Sequence, residues 1–368
     1  MIGGIGAFLA IVLFVTAHEA GHFLAAKATG MKATEFFFGF GPRLWSFKRG
    51  DTEYGFKALP LGGYVKIVGM SALEEVDEAD EGSTYRDQAF WKKSVVVLAG
   101  VGANFLIAYL MFFGIALAEG VQEPVPTVGT VVDDYEGQAT AASLAGLKTG
   151  DRILAVDGVA IDDWGVLSAQ LADHAGDTIT LRIERAGVIS DLAVVMGSRA
   201  DPRTGETVGF LGMSPEAVRV PIGVGEGLTT AARQVYGGFL FTFESFGRLV
   251  QLDNLTQLAG GLIGRDVSDD IRPVSVIGIV QIGSQAEALG VTNLLFMLAL
   301  VNVILGTLNV LPLYPLDGGH FAVALYEKVR GRRADVTKLI PVAAAVIIFI
   351  SFVGVVAIVL DIVNPIRL

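Results

Sequence analysis

The sequence has no cysteine and only four histidines among its 368 residues. The first absence excludes disulfides, thiolate metal sites, iron–sulfur clusters and cysteine nucleophiles, and leaves His, Asp and Glu as the strong metal ligands. Charge is scarce as well: 18% of residues are charged against 52% hydrophobic, a balance that an ordinary soluble enzyme of this length does not carry. A net charge of −11 offers no basic face to nucleic acid, which is excluded as a partner. The charge is also unevenly placed. From Glu119 to Val291 there are 11 Lys/Arg against 23 Asp/Glu, whereas the remainder is nearly balanced at 16 to 15. A water-soluble acidic middle is therefore set between greasy flanks.

Crossing ~30 Å of hydrocarbon takes a helix of roughly 20 apolar residues. Met1–Ala17, with apolar character resuming at Phe23–Ala26, is free of charged side chains, as are Ser94–Ala118, Val291–Leu316 and Leu339–Leu360. Four spans are predicted. The first lacks the basic start and small-residue cleavage site of a secretory leader and runs straight into His18 and Glu19, so it reads as a retained helix. Basic residues near the spans set the orientation. Lys27, Lys32, Lys92 and Lys93 flank the first long loop, and Lys328, Arg330, Arg332, Arg333 and Lys338 fill the last one. Both loops are expected in the cytoplasm of a multi-pass inner-membrane protein, with both termini and the middle outside. The acidic run Glu74–Glu81 reads as solvated loop.

The expected fold class is a polytopic α-helical membrane protein with four transmembrane helices, a membrane-associated β-hairpin region and an inserted extracytoplasmic domain. The predicted boundaries are a first helix over 1–26, a hairpin loop over 27–93, a second helix over 94–118 and a small domain over 126–198. A linker with an interfacial amphipathic helix (around Gly237–Val250) follows over 199–290, then a third helix over 291–316, a cytoplasmic loop over 317–338 and a fourth helix over 339–361. In the hairpin loop, Phe36–Pro42, Glu53–Lys57 and Leu59–Met70 are aromatic and β-branched stretches broken by Gly and Pro, placed to dip into the interface or to line a cavity. The run Leu144–Gly158 in the small domain (LAGLKTGDRILAVDG) resembles the signature of PDZ domains in their permuted bacterial form. Such domains capture extended chains or C-termini at a strand edge; a plain steric plug is the other reading.

Chemistry concentrates in His18-Glu19-Ala20-Gly21-His22. In this H-E-x-x-H pattern the two imidazoles share one helix face and can bind one Zn²⁺, and Glu19 can reach a water as general base. Three polar groups within five residues of a membrane helix cost several kcal/mol, of order 2.5–3.5 each, unless a metal, a partner or a water cavity offsets them. Zinc needs a third protein ligand and an open position. Asp317, at the end of the third span in NVLPLYPLDGGH, is the candidate, because the orientation puts it at the same depth as His22. His320 is the rival, with Glu35 and Glu327 in more polar settings. The ligand types leave Co²⁺ or Mn²⁺ open beside zinc.

Taken together, HEAGH, FGFGP, PLGGYVKIVGM, AGVGANF, one PDZ-like stretch and NVLPLYPLDGGH resemble the site-2 protease family of intramembrane zinc metalloproteases. The bacterial type that cleaves membrane-embedded anti-sigma factors is nearest, and Arg272-Pro273-Val274-Ser275 suggests its actinobacterial branch. The resemblance implies His18, His22 and Asp317 as ligands of one zinc, Glu19 as base and Asn309 as a substrate-binding residue that holds the backbone or the developing oxyanion. For Asn309, interhelical hydrogen bonding is the alternative; Asn104 could do either, and Gly100, Gly102 and Ala103 allow close helix approach. It further implies single-span substrates, pre-trimmed on the outside, an outer PDZ that gates or reads their ends, and a Gly39–Gly41 hairpin that offers an edge strand. Two competing readings are a membrane-anchored zincin cutting cytosolic loops, which requires the motif beyond a complete span and a downstream Glu ligand, and a non-catalytic zinc transporter or PDZ scaffold, which has no use for Glu19.

Overall fold

The computed structural model describes residues 2–70, 76–77, 80–135, 137–201, 205–268 and 270–366, so the acidic run Glu74–Glu81 lies partly outside the described residues. The chain divides into two compact units, Met1–Ala116 with Val224–Leu368, and Leu117–Gly223.

The first unit begins with α1 (Ile2–Ala28), apolar on all sides up to its His-Glu cluster. β1 (Ala33–Arg49) and β2 (Thr52–Ile67) follow, each bent so that two strands act as four segments. Segment 63–67 pairs with 33–38 in descending register, from Ala33 with Ile67 to Phe38 with Gly63. The other side of 33–38 meets 53–57 in ascending register, from Glu35 with Glu53 to Phe38 with Phe56, and 53–57 pairs with 43–49. Gly39 sits at the bend with φ 86°, where a Cβ would come 2.7 Å from the Leu59 carbonyl oxygen. Segment 63–67 is thereby left at one edge of the sheet, and Leu44, Trp45, Phe47 and Phe56 are exposed elsewhere on it. α2 (Phe90–Glu119) then runs for 30 residues.

The second unit holds β3 (Val121–Val131), β4 (Asp134–Tyr135), β5 (Gln138–Ala139), α3 (Ala141–Leu144), β6 (Arg152–Val156), β7 (Val159–Ala160) and α4 (Trp164–Asp173). β8 (Thr178–Arg185), β9 (Val188–Val195), β10 (Gly197–Ala200), β11 (Thr207–Phe210) and β12 (Met213–Val220) complete it. Its main sheet runs β12-β3-β6-β8-β9. Alternation along β8 buries Ile179, Leu181 and Ile183 in one core with Val128, Ile153 and Leu167. The unit continues past residue 198, where the sequence predicts its end, because β12 returns to pair with β3 from Met213–Val131 to Val220–Val121.

The first unit resumes with α5 (Val224–Leu249), α6 (Leu252–Gly261), α7 (Val276–Ala288), α8 (Val291–Val310), α9 (Asp317–Arg330) and α10 (Val336–Val363). Among the described residues α1, α2, α8 and α10 are the four helices long and apolar enough to cross a bilayer. The linker predicted over 199–290 thus contains three helices. The amphipathic one, α5, packs lengthwise on other helices: Ala231 enters a cluster with Ala108, Phe112, Ala299 and Val303, and Gly238 lies against Val303 and Leu300. Its small residues give it a close face toward α8, which a helix lying alone at an interface does not need. α8 ends at Val310, six residues short of the predicted span, because Pro312 and Pro315 break the helix; most of the predicted 317–338 loop is then helical as α9. The Arg272–Ser275 run anchors α10 to α7. Buried Asp361 accepts from the Arg272 guanidinium at 3.2 Å and from the Ser275 N–H at 2.7 Å.

In the second unit Asp151, fully buried, accepts two hydrogen bonds from Arg185, whose Nη2 also reaches the Gly146 carbonyl, and one from the Lys148 N–H. The guanidinium holds its carboxyl below the usual carboxylate range despite burial. A depressed folded value means that the stabilisation is complete above the unfolded aspartate pKa of ~3.9 and is lost as pH falls below it toward the folded value. Arg185→Met should therefore destabilise residues 117–223 by about 1–2 kcal/mol at neutral pH and reduce that unit's acid sensitivity below pH ~4, as read by urea-dependent proteolysis of the full chain at graded pH.

Candidate metal centre

His18 and His22 stand one turn apart on α1, both buried. The His22 Nδ1 lies 2.8 Å from the Val96 carbonyl oxygen. A carbonyl only accepts, so this nitrogen carries the proton and Nε2 of the neutral ring presents a lone pair. That Nε2 is 3.1 Å from the Nε2 of His18. Asp317, the first residue of α9, completes the triangle: its Oδ2 is 3.0 Å from the His18 Nε2 and 3.2 Å from the His22 Nε2. It makes no well-formed hydrogen bond to either.

These separations fit a shared cation. Ligands bound at ~2.0–2.1 Å to one tetrahedral ion stand roughly 3.3–3.4 Å apart, close to the observed triangle. With the His22 lone pair and a carboxylate oxygen aimed at one buried point, a positive ion offsets what would otherwise be mutual repulsion of acceptors. Two imidazoles and one carboxylate are a donor set suited to zinc with an open fourth position. Among the described residues this is the one group of three or more His, Asp or Glu side chains placed to hold a metal.

Backbone choices make the approach possible. A Cβ on Gly100 of α2 would run into the His22 ring. One on Gly318 would run into the Val310 and Leu311 carbonyls, so glycine here lets α9 start directly under the end of α8. Gly102, by contrast, has no neighbour within 4 Å and plays no part in helix approach.

Glu19 is directed to the other side, toward the sheet. Its Oε2 accepts from the Val65 N–H at 3.1 Å, and Gly63 lies beside its Cγ. A cavity of about 310 Å³ joins these parts, lined among others by His18, Glu19, His22, Asn104, Asn309 and Asp317. Asn309 reaches the cavity but not the triangle, and its Nδ2 donates to the Leu305 carbonyl at 3.1 Å. Asn104 is buried with its Oδ1 unpaired. His320 lines the same cavity, packed on Tyr314 with ring centroids 4.9 Å apart, outside the triangle. Glu35 and Glu327 are elsewhere: Glu35 accepts from the Tyr64 hydroxyl, and Glu327 pairs with Lys93 at 3.0 Å.

Two residues escaped the sequence reading. Asn302 is fully buried in α8, donates from Nδ2 to the Asn104 carbonyl at 2.9 Å and leaves its own Oδ1 unpaired. An amide in the middle of an apolar span was the available signal. Lys93, which the sequence presents as a flanking charge, is buried and pairs with half-buried Glu327.

Asp317→Ala and Gly100→Ala should each weaken metal binding by at least about tenfold, the first by removing a donor and the second by displacing the His22 ring. Metal retained by the purified protein after dialysis against graded chelator, measured by elemental analysis, is the check. Wild-type retention in either variant would contradict the geometry.

Comparison with known proteins finds zinc metalloproteases. The profile of peptidase family M50 matches residues 6–364. The zinc metalloprotease Rip1 of Mycobacterium bovis (strain BCG / Pasteur 1173P2) is 34% identical, covering 98% of this chain and 97% of its own length. That of Mycolicibacterium smegmatis is 32% identical over the whole of both chains, and that of Mycobacterium tuberculosis (strain H37Rv) 34% over 98% and 97%. The resemblance carried by the motifs, including its actinobacterial lean, is thus borne out. From a profile that covers almost the entire sequence and relatives above 30% identity from end to end, the chain belongs to peptidase family M50, the zinc metalloproteases of the site-2 type.

Proposed function

We propose that this zinc metalloprotease hydrolyses peptide bonds within or next to the membrane segments of single-span proteins, with His18, His22 and Asp317 as metal ligands and Glu19 as the base. The observation that carries the reading is the position of Glu19. It sits on a membrane-length helix between two ligands of one buried triangle, and its carboxylate touches the edge segment 63–67. When bound by His18, His22 and Asp317, zinc would supply Lewis acidity for a scissile carbonyl and the attacking water. Glu19 takes the proton of the attacking water and hands it to the leaving amine. The Asn309 amide, on the wall of the same cavity, donates to the oxyanion or to the substrate backbone. Segment 63–67 pairs with the unwound substrate, whose carbonyls a complete helix would hide.

The second unit acts as a PDZ-like gate or reader of a trimmed substrate end. Supporting this are β12, at an edge of the main sheet, and α4 in the same unit. In this reading the metal centre lies toward the cytoplasmic side of the inner membrane and that unit outside, which the basic residues of the two loops support. Substrates of the anti-sigma-factor type, already shortened by another protease, suit this arrangement. A zincin cutting cytosolic loops would use a downstream Glu, and the carboxylate in the triangle is Asp317. A scaffold or transporter leaves Glu19 without a task.

Glu19→Gln should keep stoichiometric zinc and lose cleavage of single-span substrates in detergent by at least about a thousandfold, in the upper half of the ~10²–10⁴-fold usual for a general acid–base group because acid and base steps both use it. Residual wild-type cleavage by the purified variant would refute the assigned base.

A further inference from the structure

The edge segment that meets Glu19 is poorly defended against slippage. It follows Gly62 and contains Gly63, and its pairing with 33–38 is irregular, skipping from Ala33–Ile67 to Glu35–Lys66. Glycine-rich strands hold register weakly, and a slip of one residue turns every side chain and backbone group to the opposite side. Such a slip would carry the Val65 N–H away from Glu19.

Tyr64 stands between the two residues that touch Glu19. Because side chains alternate along a strand, its ring points away from the face that Val65 offers to the cavity. There it stacks on Phe37 and Phe40, with centroids 5.8 and 6.4 Å apart. Stacked rings slide easily, so packing alone does not fix the axial position. The hydroxyl does what the ring cannot. It donates to the Glu35 carboxylate on segment 33–38 and accepts from the Lys57 ammonium, 2.8 Å away on segment 53–57. Lys57 in turn lies over the Tyr64 and Phe37 rings, 4.5 and 5.1 Å from their centroids. One phenol oxygen therefore ties three neighbouring segments, and it bridges a cation and an anion that are both half-buried. Charge-assisted bonds of this kind have a single geometry at which both are satisfied.

We propose that Tyr64, clamped between Glu35 and Lys57, is a positioning residue that sets the register of segment 63–67 against Glu19. It acts through the backbone of Gly63 and Val65 and touches neither metal nor substrate. The inference rests on the reading of Glu19 as base and of 63–67 as the substrate-pairing edge.

The test uses the purified full-length protein and four variants: Tyr64→Phe, Glu35→Ala, Glu35→Gln and Lys57→Met. Amide hydrogen exchange of peptides covering 63–67 is read with the metal retained and after chelation, beside kcat for a single-span substrate. Tyr64→Phe and Glu35→Ala should speed exchange of 63–67 by about tenfold and leave 43–49 unchanged. They should lower kcat by roughly ten- to a hundredfold at wild-type zinc content and melting temperature. Glu35→Gln, which keeps an oxygen acceptor for the Tyr64 hydroxyl, should restore most of both, and Lys57→Met should fall between. Wild-type exchange in Tyr64→Phe overturns the clamp; faster exchange with wild-type cleavage overturns its positioning role; and equal damage from Glu35→Gln and Glu35→Ala overturns the acceptor geometry. Should the wild type itself cleave nothing, the protease reading fails and the exchange arm still decides the clamp.

Discussion

The fold answers to one electrostatic demand: two imidazole nitrogens and a carboxylate oxygen are held within 3.2 Å of each other on membrane-length helices and their ends. Left apart in hydrocarbon, each would be an expense with no return. Brought together they form a site whose affinity for a divalent ion can outweigh that cost. The neighbouring chain is shaped by this requirement. The Val96 carbonyl chooses the tautomer of His22, and Gly100 clears the volume its ring fills. The prolines after α8 turn the chain, so that Asp317 arrives as the first residue of a new helix rather than as the last of an old one.

Because these contacts are made by backbone atoms and absent side chains, the centre is rigid in a way that side-chain packing alone would not supply. Where a helix approaches through glycine, no rotamer change can relieve an intrusion, and the cost of any Cβ falls on the ring or the carbonyl it meets. Asn302 adds a polar stitch between α8 and α2 at the level of Asn104, close to the cavity wall. The same logic operates at the far end of α10, where Asp361 is fully buried yet satisfied by Arg272 and the Ser275 N–H. There a buried charge marks where α10 is fastened to the start of α7.

What the sequence made legible follows from which signals are local. The spans showed because a run of twenty apolar residues needs no knowledge of the rest of the chain, and His18, Glu19 and His22 showed because helical spacing alone puts the two imidazoles on one face. Asp317 was reachable by one further step, the matching of depth through the positive-inside rule. The family motifs carried the rest of that identification. Pairing across distance was not legible. Nothing in the composition of 213–220 reveals that it returns to β3, and the ascending pairing of 33–38 with 53–57 depends on a bend at Gly39 that reads as an ordinary hairpin glycine. The packing face of α5 was missed for a similar reason: its small residues, Ala231 and Gly238, look like interruptions of an amphipathic pattern until the partner helix is seen. In the sequence Lys93 reads as a charge flanking a loop and Glu327 as a remote ligand candidate, because 234 positions separate the two partners.

A final constraint links the metal centre to the sheet beside it. In a bilayer, a substrate helix cannot simply unwind to expose a carbonyl, since each freed N–H and C=O is without water and costs several kcal/mol. Whatever opens the helix must supply replacement partners in the same place. Side chains are poor at this, being few and flexible, whereas the edge of a β-sheet offers donors and acceptors at the spacing an extended chain requires. Segment 63–67 has that edge, and its Val65 N–H already points at the carboxylate that would move the proton. With substrate paired along the strand, the scissile carbonyl would be delivered to the triangle by backbone geometry, largely independent of the sequence being cut. On the proposed reading, selectivity would then rest with which helices unwind readily.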